Sequence, residues 1–376
     1  MFQKDTSMTL SRSPRKIAFA ALAAASAIAL AACGSSSSPD AANTGSTGTP
    51  SFGDITLQYS WIKNEEFAGE YYADDNGYYT AAGFSKVNGV SGPSTGTAEL
   101  VSGQAQIALS DAASIAAADA KGANLKIIGA TFQKNPFTLL STAEGTPLKT
   151  PQDLIGKKIG VDASNKSVFD AFLKANGLSE SQMTIVPGQF NGPELLKDKK
   201  VDGYVSYITN EAIVVKDMGL TPVRLDFADN GLPYVAETYS VTSDYLAAHK
   251  DLLVAFMKAE IQGWSDVFKN PTTDTVSKVI DHFNAAVGDP NSAEAQNSSG
   301  TLDPNSTAEG VEGEKTLIST DETKANGLFT LSADTQAETI KSMVAAGYNV
   351  TADQLFDTSI LDAVYAANPD LKNYGG

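Results

Sequence analysis

Cysteine and basic residues are scarce in this chain of 376 residues. It contains one cysteine and two histidines, and its 27 Lys and Arg residues stand against 44 Asp and Glu, for a formal net charge of −17 at pH 7. A single cysteine cannot form an internal disulfide, and two histidines are too few for most Cys/His zinc sites. The acidic balance argues against nucleic acid as a partner, because binding to phosphate backbones needs a basic face.

Arginine is nearly absent beyond the first residues. Arg224 is the only arginine after Arg15, and the histidines are His249 and His282. Proteins that bind sulfonate, phosphate or nitrate commonly use arginine forks or histidine for this purpose. Lysines and helix N-termini can also bind anions, but the composition favours a neutral or weakly charged ligand.

The common catalytic motifs are missing as well. The sequence has no HExxH motif, P-loop, dinucleotide fingerprint or Cys/His cluster. Gly92-Pro-Ser94-Thr-Gly96 has the spacing of a serine-hydrolase nucleophile elbow, and His249 follows it, but capping of a helix at Thr97 explains this loop more simply. We therefore predict a binding protein with no enzymatic activity, cofactor or metal.

The N-terminal segment has the layout of a secretory signal. Basic residues at 12–16 precede an uncharged apolar run at 17–32, which is short for a membrane-spanning helix. The run ends in Leu30-Ala-Ala-Cys33, which resembles the lipobox of bacterial lipoproteins; a plain secretory signal is the alternative. The resemblance implies a signal peptide at 1–32 and lipidation of Cys33. Residues 33–53 are rich in Ser, Gly and Thr, a composition typical of a flexible tether.

From residue 54 onward, segments with strand and helix patterns alternate. This alternation predicts an α/β fold with largely parallel sheets, and the length favours two lobes. After residue 244 the pattern is helical. Residues 288–314 are polar and rich in turn-forming residues, so we predict a loop there. The predicted strands are 54–60, 85–88, 106–110, 125–130, 158–161, 183–187, 203–207 and 221–225. The predicted helices are 66–76, 97–102, 112–121, 151–154, 167–176, 194–198, 211–218, 245–270, 273–286, 333–346 and 352–356.

Five segments match, in order, the pattern of one protein family. They are Tyr59-Ser-Trp-Ile-Lys-Asn-Glu-Glu-Phe-Ala-Gly69, Gly77-Tyr-Tyr-Thr-Ala-Ala-Gly-Phe84, Leu100-Val-Ser-Gly-Gln-Ala-Gln-Ile-Ala-Leu-Ser110, Phe132-Gln-Lys-Asn-Pro-Phe137 and Thr150-Pro-Gln-Asp-Leu-Ile-Gly-Lys-Lys-Ile-Gly-Val161. The chain resembles the NMT1/THI5-like group of binding proteins. The resemblance implies a two-lobe type II periplasmic-binding-protein fold with mostly parallel sheets, flanking helices and a helical C-terminal region. Lobe 1 would span residues 54–143 and 243–376, and lobe 2 residues 144–242.

The resemblance also implies a function. Members of this group bind thiamine pyrimidine precursors, riboflavin-type ligands, sulfonates or nitrate, and they deliver them to an ABC permease and its ATPase. We expect a monomeric lipoprotein, held by lipid on Cys33 at the extracytoplasmic face of a bacterial membrane. A thiamine pyrimidine precursor is our first choice of ligand, riboflavin or another heterocycle the second, and alkanesulfonate or nitrate a lower one. A surface lipoprotein acting as adhesin or sensor is the alternative class.

The first lobe offers aromatic and polar candidates for ligand contact. An aromatic wall near the first strand would stack on a planar ring, although ordinary core packing is the alternative for these side chains. Polar residues at strand ends are also candidates, because ligands sit at the carboxyl ends of parallel strands; Asp111 can equally cap a helix. The predicted contacts are Trp61, Asn64, Phe67, Tyr71, Ser110, Asp111 and Gln133.

The second lobe repeats this arrangement. Polar side chains follow its strands, and helix capping is again the alternative, most clearly for Asn165. Tyr234, near the return crossing between the lobes, would lean on the ligand from the hinge side. The predicted contacts here are Asn165, Gln189, Asn191, Tyr207, Asn210, Glu211 and Tyr234.

Overall fold

The computed structural model of the chain describes residues 50–188, 191–297 and 301–375. The predicted signal peptide, Cys33 and Gln189 lie outside these ranges. Within them, no helix is both long and apolar enough to span a membrane. The strands are β1 (Gly53–Gln58), β2 (Phe84–Val90), β3 (Ile107–Asp111), β4 (Leu125–Phe132), β5 (Phe137–Thr142), β6 (Lys158–Val161), β7 (Thr184–Pro187), β8 (Gly203–Tyr207), β9 (Pro222–Asp226) and β10 (Ala236–Thr242).

The strands form two five-stranded sheets of the same design. The first has the order β2-β1-β3-β10-β4 and the second the order β7-β6-β8-β5-β9. In each sheet the antiparallel strand is the fourth, β10 in the first sheet and β5 in the second, and the other strands are parallel to one another. The predicted α/β class with largely parallel sheets is confirmed.

The two antiparallel strands are the ones that cross between the sheets. After β4 the chain passes through residues 133–136 into β5, and after β9 it returns through residues 227–235 into β10. Each crossing strand pairs with the sheet it enters, so sheet membership changes at these two segments. The predicted lobe boundaries, after residues 143 and 242, follow β5 and β10, whereas the sheet changes before each of these strands.

Helices flank the sheets and make up the C-terminal region. The α-helices are α1 (Ala68–Asp75), α2 (Tyr78–Ala82), α3 (Thr97–Ser102), α4 (Ala112–Asp119), α5 (Lys166–Ala175), α6 (Gly192–Lys197), α7 (Glu211–Asp217), α8 (Ser243–Ala248), α9 (Lys250–Lys269), α10 (Thr272–Val287), α11 (Ala293–Asn297), α12 (Pro304–Ile318), α13 (Asp321–Asn326), α14 (Ala333–Ala345), α15 (Ala352–Leu355) and α16 (Ser359–Ala367). Short 3-10 helices occupy Glu65–Phe67, Pro151–Leu154, Ala163–Asn165, Glu180–Gln182, Ala228–Asn230 and Pro369–Lys372.

The core beside the first sheet depends on a close approach of α1 and α9. A Cβ added at Gly69 would lie 2.1 Å from Cδ1 of Trp264, and one added at Gly263 would lie 2.1 Å from the carbonyl oxygen of Gly69. Only glycine fits at both positions, and the indole of Trp264 is buried over α1 as a result. This packing fixes the start of α1, and with it the segment that precedes the helix.

The loop predicted at residues 288–314 is wrong over much of its length, because α11 and α12 occupy part of it. Asp303 accepts hydrogen bonds from the backbone N–H groups of Asn305 and Ser306, and Pro304 holds the first helical position, both favourable for starting a helix. The buried residues of α12 recur every three or four positions. They are Thr307, Gly310, Val311, Glu314, Leu317 and Ile318.

Candidate functional site

A cavity lies at the carboxyl ends of strands from both sheets. Its walls follow β1 and β3 of the first sheet and β6 and β8 of the second, and the two crossing strands contribute as well. This is the edge where open α/β sheets place ligands. The lining residues are Ser60, Trp61, Glu66, Ser94, Thr95, Ser110, Asp111, Phe137, Ser164, Asn165, Tyr207, Glu211 and Glu237.

Three aromatic side chains form the apolar part of the wall. Trp61 follows β1 and is half-buried. On the opposite sheet the ring of Tyr207 meets that of Phe137 edge to face, with centroids 4.6 Å apart and planes at 89°. Phe137 opens β5 directly after the first crossing. Rings on both sides of a cavity can stack on a planar heterocycle.

Glu237 reaches the cavity through a β-bulge in the return strand. Ala236 pairs with Asp111 and Thr238 with Ser110, so β10 has one extra residue against β3. Glu237 is that residue. Its φ of 45° is in the left-handed region, where the backbone of a residue other than glycine is strained, and such strain persists only where the surrounding structure enforces it. The Oγ of Ser60 lies 3.0 Å from both carboxylate oxygens, and the hydroxyl of Tyr207 donates to Oε1 at 2.9 Å.

Glu66 is fixed by the residue two positions before it. The side chain of Asn64 accepts from the backbone N–H of Glu66 at 3.0 Å and donates from Nδ2 to Glu66 Oε1, also at 3.0 Å. Both side chains are buried. Both the oxygen and the nitrogen of the Asn64 side-chain amide therefore bond to Glu66, and the contribution of Asn64 to the cavity is to orient that carboxylate.

Two further carboxylates complete the lining. Asp111 caps α4 by accepting from the backbone N–H groups of Ala113 and Ser114, and it also borders the cavity, so both interpretations of this residue apply. Glu211 accepts from the backbone N–H of Tyr207 at 3.0 Å. These hydrogen bonds leave both carboxylates, Asp111 and Glu211, with oxygen lone pairs that can accept hydrogen bonds from a ligand.

The carboxyl groups in and around the cavity have raised pKa values. Burial is the main cause: it raises the pKa of Glu237 to about 8 and that of Glu211 to about 7. Burial, reinforced by the charge of Glu237, raises the pKa of Glu66 well above its ordinary value. Behind it, burial also raises the pKa of Glu65 to about 8. Among the residues that the structure describes, the lining contains no Lys, Arg or His side chain to oppose this effect.

Six of the predicted contacts lie together in the cavity wall. The predicted residues in the wall are Trp61, Ser110, Asp111, Asn165, Tyr207 and Glu211. Asn64 and Asn210 line an adjoining, more open cleft that shares Trp61 and Glu211 with the cavity and extends to the start of α12. The hydroxyl of Ser110 donates to the carbonyl oxygen of Thr95 at 2.7 Å, which ties β3 to the loop before α3.

The aromatic residues of α1 and its approach lie in the core instead. Phe67 stacks on Tyr59 with centroids 4.3 Å apart, and Tyr71 stacks on His282 at the same distance. Both side chains are almost completely buried, and neither borders the cavity. The structure thus favours the core-packing alternative for these two rings.

The remaining predicted residues have other neighbours. In the first crossing, Gln133 donates from Nε2 to the carbonyl oxygen of Ala130 and from its backbone N–H to that of Leu317 in α12. Tyr234 is buried in the second crossing. Asn191 precedes α6, and its carbonyl oxygen accepts from the N–H of Leu195. None of the three is in the cavity lining.

The sequence interpretation missed part of the lining. The lining residues that are not among the predicted contacts are Ser60, Glu66, Ser94, Thr95, Phe137, Ser164 and Glu237. Ser60 and Phe137 lie within two of the segments that match the family pattern, and this match was the available signal. Glu237 had a weaker one, an acidic residue within the apolar and hydroxyl-bearing run from Val235 to Val241.

Neither histidine borders the cavity. His282 contacts Asp75 on α1, and the ring of His249 packs on Tyr245, with centroids 4.2 Å apart. In the described part of the chain, no three His, Cys, Asp or Glu side chains converge as a metal site requires. The cavity therefore offers hydrogen bonding, stacking and negative charge to a ligand.

Comparison with known proteins gives one family and two relatives. A family model described as NMT1/THI5 like matches residues 64–274. The riboflavin-binding protein RibY of Chloroflexus aurantiacus is 25% identical over 236 residues, which cover 59% of this chain and 64% of that protein, so the match spans less than two thirds of its length. The 4-amino-5-hydroxymethyl-2-methylpyrimidine phosphate synthase of Schizosaccharomyces pombe is 25% identical over 247 residues, 62% of this chain and 70% of the synthase.

A solved structure shows the same fold. The alkanesulfonate-binding protein SsuA of Xanthomonas axonopodis pv. citri, bound to MOPS, superposes with a TM-score of 0.57 and 15% sequence identity. The superposition covers 80% of this chain and 95% of SsuA. At this level of identity the similarity establishes the two-lobe periplasmic-binding-protein fold and leaves the ligand open.

Proposed function

The chain belongs to the NMT1/THI5-like family, and from this membership we propose that it is the substrate-binding lipoprotein of an ABC importer. It captures a small aromatic heterocycle in the cavity between its two sheets. The observation that supports this proposal most directly is the lining itself. Trp61, Phe137 and Tyr207 supply flat apolar surface, and hydroxyl and carboxylate groups surround them.

A thiamine pyrimidine precursor is the first choice of ligand. Such a ring is planar and has amino and hydroxymethyl groups that donate hydrogen bonds, and carboxylates such as Glu237 and Glu66 accept them. The relative from Schizosaccharomyces pombe is named for a pyrimidine of this kind, and the one from Chloroflexus aurantiacus for riboflavin, our second choice. Alkanesulfonate and nitrate rank lower, because none of the described residues that line the cavity is cationic.

Transport requires that the ligand change the protein's shape. The two crossings, residues 133–136 and 227–235, are the covalent links between the sheets and would act as the hinge. A ligand that contacts Trp61 on one side and Tyr207 on the other binds the closed form better, and so shifts the population towards it. The permease then recognises the closed, loaded, monomeric protein.

The lipid anchor is proposed from the motif that ends at Cys33. Growth of the source bacterium with a radioactive or clickable palmitate should label the wild-type protein and leave Cys33→Ala unlabelled. Label on both proteins, or on neither, would contradict lipidation at this residue and would leave the ligand-binding proposal intact.

Binding without catalysis is the second part of the proposal, since one relative is named as a synthase. The positions of His249 and His282 away from the cavity support it, because a histidine that acted as general acid or base would have to reach the ligand. Incubation with each bound ligand, followed by mass spectrometry, should return the ligand unchanged. A converted product would establish an enzyme instead.

A thermal-shift screen of the full chain tests the ligand class. The panel is 4-amino-5-hydroxymethyl-2-methylpyrimidine, thiamine, riboflavin, taurine and nitrate. A ligand present at about 100 times its dissociation constant should stabilise the protein by roughly 2.7 kcal/mol. Shifts confined to the ring compounds support the proposal, and shifts only with taurine or nitrate contradict the choice of ligand. The adhesin or sensor alternative predicts no saturable shift with any of them.

A further inference from the structure

The charge of the cavity is one-sided. In the described part of the chain, four carboxylates border it, those of Glu66, Asp111, Glu211 and Glu237, and no basic side chain does. None of the ion pairs found among the described residues includes any of the four; those ion pairs lie elsewhere, as between Lys166 and Asp170. Buried carboxylates are ordinarily paired with cations, so this site lacks the partner that its charge calls for.

The neighbouring elements add negative charge instead of relieving it. The titratable groups that act on Glu66 and Glu237 from the elements packed around them are all acidic or phenolic. They are Glu65 of the 3-10 helix before α1, Glu70 of α1, Asp111 at the end of β3, Tyr207 at the end of β8, Glu211 at the start of α7 and Glu314 of α12. Glu314 is itself buried, and its Oε1 has no hydrogen-bond partner in the described part of the chain.

The two innermost carboxylates are nevertheless held in fixed positions. Asn64 clamps Glu66 at two points, and Ser60 and Tyr207 hold Glu237 on its strained bulge. Strain of this kind persists where the surrounding structure enforces it, most often at a functional site. A fixed pair of buried carboxylates can be neutralised in two ways: by protons when the cavity has no ligand, or by a positive charge that the ligand brings.

We propose that the ligand of this cavity is a cationic aromatic heterocycle, with a protonated or quaternised ring nitrogen, whose positive charge Glu66 and Glu237 hold. This inference rests on the proposed function, because it assigns a charge to the ligand of the same site. The aromatic lining supports it as well, since Trp61 and Tyr207 border the cavity and aromatic rings attract cations. Glu237 is then the residue that selects for charge.

Proton balance follows from this arrangement. At neutral pH the ligand-free cavity retains protons, because burial raises the pKa of Glu237 to about 8. When a permanently charged ring enters, a carboxyl O–H bond breaks, the carboxylate pairs with the cation, and the proton goes to the buffer. A neutral ring would bind without this release, and an anion would require further proton uptake.

Isothermal titration of the full chain tests the inference. The probes are 1-methylnicotinamide and thiamine as fixed cations, nicotinamide and riboflavin as neutral rings, and nicotinate as an anion. We expect each cation to bind at least about tenfold more tightly than the neutral rings, in keeping with the coupling energies of close charge pairs. Titrations at pH 7 in phosphate and in Tris, whose ionisation enthalpies differ, should show proton release only with the cations.

Two variants make the test specific. In Glu237→Gln the advantage of the cations should fall to within about threefold and the proton release should shrink, because a neutral amide cannot pair with a positive charge. Glu260→Gln is the matched control. Glu260 is equally buried, but it accepts from Tyr79 and Tyr239 and does not border the cavity, so charge preference should be unchanged. Thermal unfolding of each variant checks that it folds.

The outcomes separate this inference from the proposed function. Neutral rings or nicotinate binding as tightly as the cations, or a cation preference that survives in Glu237→Gln, would overturn the inference and leave an aromatic-binding protein. Failure of every aromatic probe, and of every ring compound of the thermal-shift panel, to bind the folded wild-type chain would overturn the proposed function, and the inference with it.

Discussion

The hydroxyl of Tyr207 donates a hydrogen bond of 2.9 Å to Oε1 of Glu237, and this bond joins the two sheets. Tyr207 ends β8 of the second sheet, whereas Glu237 lies in β10, which has crossed into the first. Both residues border the cavity. The contact therefore joins a cavity wall to the strand that follows the return crossing, and closure of the lobes would change the geometry of this bond.

Removing this bond should destabilise the protein modestly. Tyr207→Phe keeps the ring and its edge-to-face contact with Phe137 but leaves Glu237 with Ser60 as its remaining donor. We expect the free energy of unfolding, measured with urea, to fall by about 1 kcal/mol. Tyr245→Phe is the control, since Tyr245 is half-buried on α8, away from the cavity. Equal losses in the two variants would count against the bond.

Trp61 should dominate the affinity for an aromatic ligand. It lines both the cavity and the adjoining cleft, so its indole is the ring best placed to cover a bound heterocycle. We expect Trp61→Ala to raise the dissociation constant of the tightest ring compound in the screen by about tenfold, and Trp61→Phe to recover most of the loss. Unchanged affinity in Trp61→Ala would contradict this prediction and would indicate that the ligand stacks on Tyr207 and Phe137 instead.

The alternation of strand and helix patterns was enough to predict the sheets, because parallel strands have distinct local signatures. It also indicated the edge where the cavity lies, since Ser110 and Tyr207 lie at the carboxyl ends of strands and Glu211 follows one. The predicted strands did not include the crossing strands β5 and β10. Each of them pairs with a sheet other than that of the strand before it in the chain, and this pairing leaves no pattern in the local sequence.

Other features required the structure for a physical reason. Glu237 enters the cavity only because one residue of β10 is skipped in the pairing with β3, and such a bulge has no composition of its own. Helix α12 was hidden by Gly310 and Gly313, which lower its helix propensity and yet allow its close packing. The aromatic spacing of Phe67 and Tyr71 fits a core and a cleft equally well, and here it serves the core.

The unfolding free energy of the ligand-free protein should decrease as pH rises from about 5 to 8. Burial raises the pKa of Glu65 and of Glu237 to about 8 in the folded state, and the ordinary value near 4.5 applies in the unfolded chain. Between these values the folded protein binds more protons, so its advantage is complete below about pH 4.5 and is lost as pH approaches 8. Urea titrations at four pH values measure the slope.

A variant assigns this pH dependence. Glu65→Gln removes one of the groups whose pKa is raised, so the slope between pH 5 and 8 should be shallower than in the wild type. Groups with lowered pKa values, such as Asp75 and Asp153, titrate below this range and do not alter its sign. Stability that is constant or rises across the range would mean that these carboxyl groups are solvated and ionised.

The packing of α12 against the segment before α1 gives the last prediction. Glycine to alanine within a helix ordinarily stabilises by up to about 1 kcal/mol. At Gly310, however, the new Cβ would lie 2.5 Å from Oε1 of the buried Glu65, so we expect Gly310→Ala to lose about 1–2 kcal/mol of unfolding free energy. Gly313→Ala meets only a methyl of Thr209 at 3.2 Å and should be neutral or stabilising. Because the two sites share one helix, equal gains at both would show that α12 does not press on Glu65.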